Sequence, residues 1–126
     1  NDYMFRVILQ KNEKVLKGLC CALLHIKEED VQEIVIENPI EVGRYYGEKV
    51  CVLDIKVLLN GNRRINIEMQ VLDYQDWDDR ALVYLCRAFD SLVAGQPYSD
   101  TLTTTHIGIV DFGMEKYGQE PEFYAV

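Results

Sequence analysis

The sequence predicts one α/β (α+β) domain whose elements run helix, helix, strand, two-strand hairpin, helix, strand, that is α-α-β-β-β-α-β. Three observations carry this. Apolar residues recur at helical spacing near the start of the chain and again after Asp76. Apolar/polar alternation fills two stretches separated by Asn60-Gly61-Asn62. The chain has 126 residues, 48% hydrophobic and 27% charged, which fits one globular domain and excludes disorder, collagen and coiled coil.

The first helix is expected from Asp2 to Gln10, with Phe5, Ile8 and Leu9 on one face. Asn12 offers an N-cap for a second helix, whose apolar stripe is Val15, Leu16, Leu19, Cys20, Leu23 and Leu24. Lys11, Lys14 and Lys17 fall on its wet side. Asp30 to Asn38, with Val31, Ile34, Val35 and Ile36, reads as a short strand stopped by Pro39. Gly43 to Gly47 is a turn-rich connection. Lys49 to Leu59 and Arg64 to Leu72 are the hairpin strands. After Asp76 comes a helix with Ala81, Leu82, Leu85, Cys86, Phe89, Leu92 and Val93 expected on its buried side, ended by Gly95 and Pro97. Thr103 to Phe112 is the last strand, followed by a loop-like acidic tail.

Charge and cysteines narrow the function classes. With 21 acids against 13 bases the net charge is −8, so a polyanion is repelled at long range. Two explanations stay open: no nucleic-acid function, or acids gathered round a metal with the binding surface partly outside this segment. Cys20 and Cys21 are adjacent and Cys51 and Cys86 stand alone, so no zinc knuckle or redox pair appears. Free thiols in a reducing, cytoplasmic compartment are the simplest expectation. No apolar run approaches the ~18 residues of a membrane helix. The opening Asn1 and the closing Glu122-Phe123-Tyr124-Ala125-Val126 suggest a fragment of a longer protein.

Side chains alternate along a strand, so parity sorts the hairpin. Leu53, Ile55, Val57 and Leu59 share one face of the first strand; Ile65, Ile67, Met69 and Val71 share one face of the second. Both sets must meet one core, so paired residues carry numbers of equal parity. A two-residue loop violates this. The three-residue loop Asn60-Gly61-Asn62 satisfies it, pairing Leu59 with Arg63 and setting Asp54 opposite Glu68. Two carboxylates so placed have Cβ atoms ~5 Å apart and repel. A divalent cation would compensate them. So would Lys56, Arg64 and Asn66 on the same face, as a solvated polar surface. Alternation leaves both readings open.

At these residues the sequence resembles the PD-(D/E)xK nuclease-like transposases, the recombination-promoting nuclease / putative transposase family. That group reads an Asp, a hairpin, then Ile-Asn-Ile-Glu-Met-Gln, as Asp54 and Ile65-Asn-Ile-Glu-Met-Gln70 do here. Asn1-Asp2-Tyr3-Met4-Phe5-Arg6 is similar to its N-terminal Asn-Asp-x-x-Phe-Lys. Arg80, Tyr84 and Gly95-Gln96-Pro97-Tyr98 match its layout, so the likeness spans nearly the whole chain. It implies a single restriction-endonuclease-like domain over residues 1–126, a mixed central sheet flanked by helices.

The resemblance further implies a metal-dependent DNA endonuclease core, with double-stranded DNA as partner and self-association open. Asp54 and Glu68 would bind Mg²⁺ (or Mn²⁺) with the Met69 backbone carbonyl, and the metal would activate a water. The nuclease-like fold presents an Asp and a Glu-x-Lys from neighbouring strands, and Gln70 takes the place of that usual lysine. An amide orients by hydrogen bonds but supplies neither charge nor a base. Lys56 is a candidate replacement. Asp2 is either a third acid for the metal or a helix cap. Arg80 and Tyr84 either contact a phosphate backbone or the catalytic strands, or buttress Asp73, Asp76 or the sheet edge. The alternative function is a catalytically degenerate module that binds nucleic acid or protein; an unrelated interaction domain is the third.

Other residues receive structural readings. His25 and His106 lack spaced partners and read as packed or surface histidines. Tyr74, Trp77 and Tyr84 read as core or sheet-edge cover rather than base-stacking platforms. Asp73, Asp76, Asp78 and Asp79 charge the first turn of the following helix.

Overall fold

Asn12 divides the N-terminal helical stretch in two in the computed structural model, which describes residues 2–40, 54–72, 74–90 and 92–113. Helix α1 is Asp2–Lys11 and α2 is Glu13–Leu24. The Asn12 side chain accepts from Val15 N at 3.1 Å, satisfying one of the free N–H groups that open α2. His25 ends α2 in the left-handed region (φ 53°) and is exposed, a surface histidine, one of the two readings given it. Leu16, Cys20 and Cys21 are the buried face of α2. Val15, expected in that stripe, is exposed, because the packing face centres on Leu16 and Cys20 and turns Val15 outward. Lys17, expected in water, is half-buried and donates from Nζ to Val31 O at 3.0 Å. Its stem lies along the protein while its head finds a carbonyl.

The sheet has four strands in the order β1-β2-β3-β4: Ile34–Ile36, Ile55–Leu59, Arg63–Gln70 and Thr103–Val110. β1, β2 and β3 are antiparallel neighbours, and β3 and β4 are parallel, so the sheet is mixed. Parallel neighbours need a crossover, supplied here by α3, Trp77–Phe89. The β1 strand is shorter than expected: Glu28–Asp30 forms a 3-10 turn, and only Ile34–Ile36 pair with β2.

The hairpin closes as parity requires. Leu59 pairs with Arg63, Val57 with Ile65 and Ile55 with Ile67. Asn60 and Gly61 both take positive φ (50° and 67°), a conformation that Asn and Gly tolerate best. Asn60 also anchors the tip: its Oδ1 accepts from Gln32 N at 2.8 Å and Glu33 N at 3.1 Å, and its Nδ2 donates to Asp30 O at 2.8 Å.

The two faces of the sheet differ in chemistry. On one, Ile55, Val57, Leu59, Ile65 and Ile67 pack with Leu9, Leu16, Cys20 and Cys21 of α1 and α2. Each such side chain removed from water contributes ~1.5–3 kcal/mol. Burial, and then the neighbouring Cys21, pushes the Cys20 thiol up to about 11, so it packs as an uncharged residue. The opposite face carries Arg64, Asn66, Glu68 and Gln70 from β3 with His106 and Gly108 from β4, and α3 covers it.

That polar face turns α3 partly away from the expected orientation: Ala81 is buried and Leu85 half-buried as expected, but other members of the apolar stripe are not. Ala81 and Ala88 are buried, while Leu82 and Phe89 are exposed, at 58% and 52%. Cys86 is exposed as well. Trp77, Arg80, Tyr84 and Ala88 follow one another at three- and four-residue steps, so one side of the helix offers polar and aromatic groups to polar strands. The helix also stops at Phe89, well before Gly95, and Val93 lies beyond it, exposed. Arg64 ties that end down, donating from Nη1 to Ala88 O at 3.1 Å while its Nε and Nη2 pair with Glu37 at 2.7 and 3.0 Å.

Several expectations fall on residues outside the described set: Asn1, the turn at 43–47, the strand pattern at 49–53 with Cys51 and Leu53, Asp73, and the acidic tail from residue 114. Among the described residues, Cys20, Cys21 and Cys86 form no disulfide. No helix among them is long and apolar enough to cross a membrane.

Candidate active site

Alternation along β3 puts Asn66, Glu68 and Gln70 on one face, and the parallel register sets His106 beside Asn66 and Gly108 beside Glu68. Glycine at 108 has a reason. A Cβ there would sit 1.9 Å from Trp77 Cζ2, so only a bare backbone lets Trp77 close over the strand. Trp77 and Tyr84 then flank His106, each with ring centroids 6.2 Å away, Tyr84 nearly parallel at 19°.

Glu68 is the centre of this face and 1% exposed. Arg80 Nε donates to its Oε1 at 2.7 Å, and the guanidinium lies 5.4 Å from the Tyr84 ring centroid. Arg80 thus reaches the strand acid, one of the alternatives the sequence left open, while Tyr84 stacks on His106 of β4. Burial raises the Glu68 pKa; Arg80 opposes this, and the charges of Asp54 and Asp76 add to it. Burial also lowers the pKa of His106 against the pull of Asp54. Its Nε2 lies 3.8 Å from Glu68 Oε2, beyond hydrogen-bond reach.

Asp54 is buried, at 3% exposure, one residue before β2. Extending the Ile55–Ile67 pairing by one step sets it opposite Glu68. Its backbone carbonyl accepts from Asn38 Nδ2 at 3.1 Å and from Arg6 Nη1, and Arg6 Nη2 donates to Asn38 O. Asn38 Oδ1 accepts in turn from Lys56 N at 2.8 Å. Gln10 exchanges two hydrogen bonds with the backbone of Ile40, at 2.6 and 2.8 Å. Helix α1 therefore fixes the chain on which Asp54 depends.

Of the expected neutralising residues, Arg64 is taken up by Glu37 and Ala88, and Asn66 meets His106 Nδ1 at 3.0 Å. Lys56 is half-buried beside Asn66 in the ladder. Gln70 is buried, and its Nε2 donates to Leu72 O at 2.8 Å. Met69 points to the other face, half-buried. Asp2 opens α1; its side chain lies outside the described set.

Four polar atoms on the α3 side of the sheet are buried without a hydrogen-bond partner: Asn66 Oδ1, Glu68 Oε2, Gln70 Oε1 and His106 Nε2. The three oxygens can act as lone-pair donors to a cation, whereas His106 Nδ1 accepts from the Asn66 amide nitrogen and so leaves the ring proton on Nε2. An unsatisfied buried acceptor costs ~1–3 kcal/mol, which a cation would relieve. This donor set suits a divalent ion, although among the described residues no three of His, Cys, Asp and Glu stand close enough to form a ready-made cluster.

His106 read as packed or surface and is buried, and Arg6 read only as a motif position; neither was placed near these strands. His106 is recognisable only once the parallel register joins it to Asn66. Arg6, 1% exposed, had a weak signal: a cation three residues from the core residue Leu9 on an amphipathic helix.

A family model described as PD-(D/E)XK nuclease family transposase matches residues 1–124 of the chain. No curated protein and no solved structure matches it.

Proposed function

The chain belongs to the PD-(D/E)XK nuclease family transposases, and on that premise we propose that it is a metal-dependent DNA endonuclease core acting on double-stranded DNA. Asp54, Glu68 and the Met69 carbonyl would hold Mg²⁺ or Mn²⁺. When bound, the ion supplies Lewis acidity toward a phosphate oxygen and lowers the pKa of a water. Arg80 holds one oxygen of Glu68 and leaves the other for the ion. Arg6 and Asn38 fix the Asp54 backbone. Trp77 and Tyr84 exclude water from the face behind them.

The observation that carries this reading is Glu68 itself. A carboxylate so deeply buried, with its second oxygen lacking any donor, is costly to a fold that gains nothing from it. The test is thermal stability with added Mg²⁺ or Mn²⁺, followed by plasmid nicking. An ion that binds the folded state alone adds ~2.7 kcal/mol at 100 times its dissociation constant. The shift should vanish in Asp54→Ala and Glu68→Ala, and nicking with it. Wild type that neither shifts nor nicks refutes the proposal.

Gln70 favours the second reading, a degenerate module that binds without cutting. Its amide nitrogen is committed to Leu72 O, and no base stands where the motif lysine would. The net charge of −8 favours it too. Metal binding without nicking is its signature.

A further inference from the structure

We propose that the outer face of α3 docks on the outer face of α1 and the start of α2 in a second copy of the chain, so that the protein self-associates head to tail. The two surfaces are both apolar at the centre and opposite in charge at the edge. On α3, Leu82, Cys86 and Phe89 follow one another at four- and three-residue steps and are exposed. At ~100° per residue, Asp79 and Asp90 stand about 60° and 80° round from Leu82, whereas the exposed cation Arg87 stands about 140° away. On the other side of the sheet, Met4 and Ile8 of α1 and Val15 of α2 are exposed, with Lys11 and Lys14 beside them. Backbone bonds of 3.0 Å from Asn12 N to Ile8 O and from Leu16 N to Asn12 O carry the helical path through the junction, so Ile8, Lys11 and Val15 follow one another at helical spacing. Glu13, the acid between the two lysines, stands about 160° round from Val15.

Charge and placement make a second copy the occupant. Exposed apolar stripes rimmed by charge mark contact surfaces, and these two complement each other. Among the described residues, Lys11, Lys14, Asp79 and Asp90 have no ion-pair partner, so each can serve the opposite surface. Helices α1 and α2 pack on one face of the sheet and α3 on the other, so one copy cannot close the contact on itself. Pairing α3 with α3 would bring Asp79 and Asp90 near acids of the same helix in the other copy, and like charges repel. A contact between two different patches leaves one of each open at the ends, and so continues into a ring or an open chain of copies. It requires neither metal nor cleavage.

Sedimentation equilibrium across a concentration series is the test. Wild type should gain apparent mass with concentration and pass beyond a dimer, whereas Leu82→Asp and Ile8→Asp should each stay monomeric. An equimolar mixture of the two should form a dimer, because each variant has kept the surface that the other has lost. Both positions are exposed, so the changes should leave folding intact, which circular dichroism checks. If an aspartate variant does not fold, charge reversal replaces it: Asp79→Lys and Lys14→Glu should each weaken self-association several-fold and recover it when mixed. Wild type that is monomeric throughout overturns the proposal. So does a mixture that stays monomeric, or association lost in Leu82→Asp but kept in Ile8→Asp, which is the mark of an α3–α3 pair.

Discussion

Arg80 Nε donates to Glu68 Oε1 at 2.7 Å, so the acid at the centre of β3 is held by a cation from the helix that covers it. The contact joins two decisions of the sequence. Glu68 lies on the polar side of its strand, and Arg80 lies on the side of α3 that turns toward it. The helix docks by polar complementarity, and its larger apolar residues, Leu82 and Phe89, are left in water.

Removing the cation should therefore strand the acid. Arg80→Met keeps the length and volume of the side chain but leaves Glu68 charged in a buried place. Breaking a fully buried pair costs ~3–5 kcal/mol, and since the Arg80 side chain is 29% exposed the expected loss is about 2–3 kcal/mol. Urea unfolding measures it. In a Glu68→Gln background the same change should cost less than half as much, because no charge is then stranded. Equal losses in both backgrounds would mean that Arg80 stabilises by packing on Tyr84 instead.

The site should also write opposite signs into the pH dependence of stability. Burial raises the Glu68 pKa above its unfolded value of ~4.3. Its contribution is complete below that value and is lost as pH rises through the folded one. His106 is lowered, so its contribution is present above ~6.5 and is lost as pH falls through the folded value. Glu68→Gln should accordingly gain stability over wild type as pH rises from ~4, and His106→Gln should gain as pH falls below ~6.5. Thermal midpoints across this range check both. A Glu68→Gln advantage that shrinks with rising pH would contradict the burial argument.

Gly108→Ala tests the close approach of Trp77. The new Cβ would fall 1.9 Å from Cζ2, so the indole or the strand must move. Overpacking of this kind costs ~1–3 kcal/mol. The loss should be largely recovered in Gly108→Ala/Trp77→Leu, where a smaller side chain makes room, relative to Trp77→Leu alone. Chemical denaturation of the four proteins closes the cycle. An additive result would show that the indole is not what Gly108 accommodates.

How far the sequence could be read follows from the reach of its signals. Parity fixed the hairpin register because both strands bury one face, and a slip of one residue would invert it. Asn12 was legible as a cap for a similarly local reason. The orientation of α3 was not. Leu82, Leu85, Phe89 and Val93 suggest a buried apolar stripe, and only the identity of the sheet face beneath the helix shows that Arg80 and Tyr84 take that place. His106 read as packed or surface and is buried; its pairing with Asn66, 40 residues away across a parallel ladder, is encoded by no periodicity. Arg6 was seen as a motif position and not as a clamp, since its acceptors, the backbone carbonyls of Asp54 and Asn38, carry no side-chain signature.

The departure at Gln70 gives the sharpest test of whether this is a working enzyme. Gln70 is 5% exposed, shares the face of Glu68, and spends its amide nitrogen on Leu72 O at 2.8 Å. A lysine there would bring three donors and a full charge to the face on which the proposed reaction would build negative charge. Gln70→Lys should raise plasmid nicking about 10²-fold over wild type, the usual worth of one positioned proton-transfer or electrostatic group. It should lower the melting temperature, because a buried ammonium is costly. Glu68→Ala in the same background must return nicking to the floor, which ties the gain to this site. If Gln70→Lys binds Mn²⁺ as wild type does and nicks no faster, the missing charge is not what limits cleavage. The polar face between β3 and α3 would then be a binding surface that has kept its acid and lost its reaction.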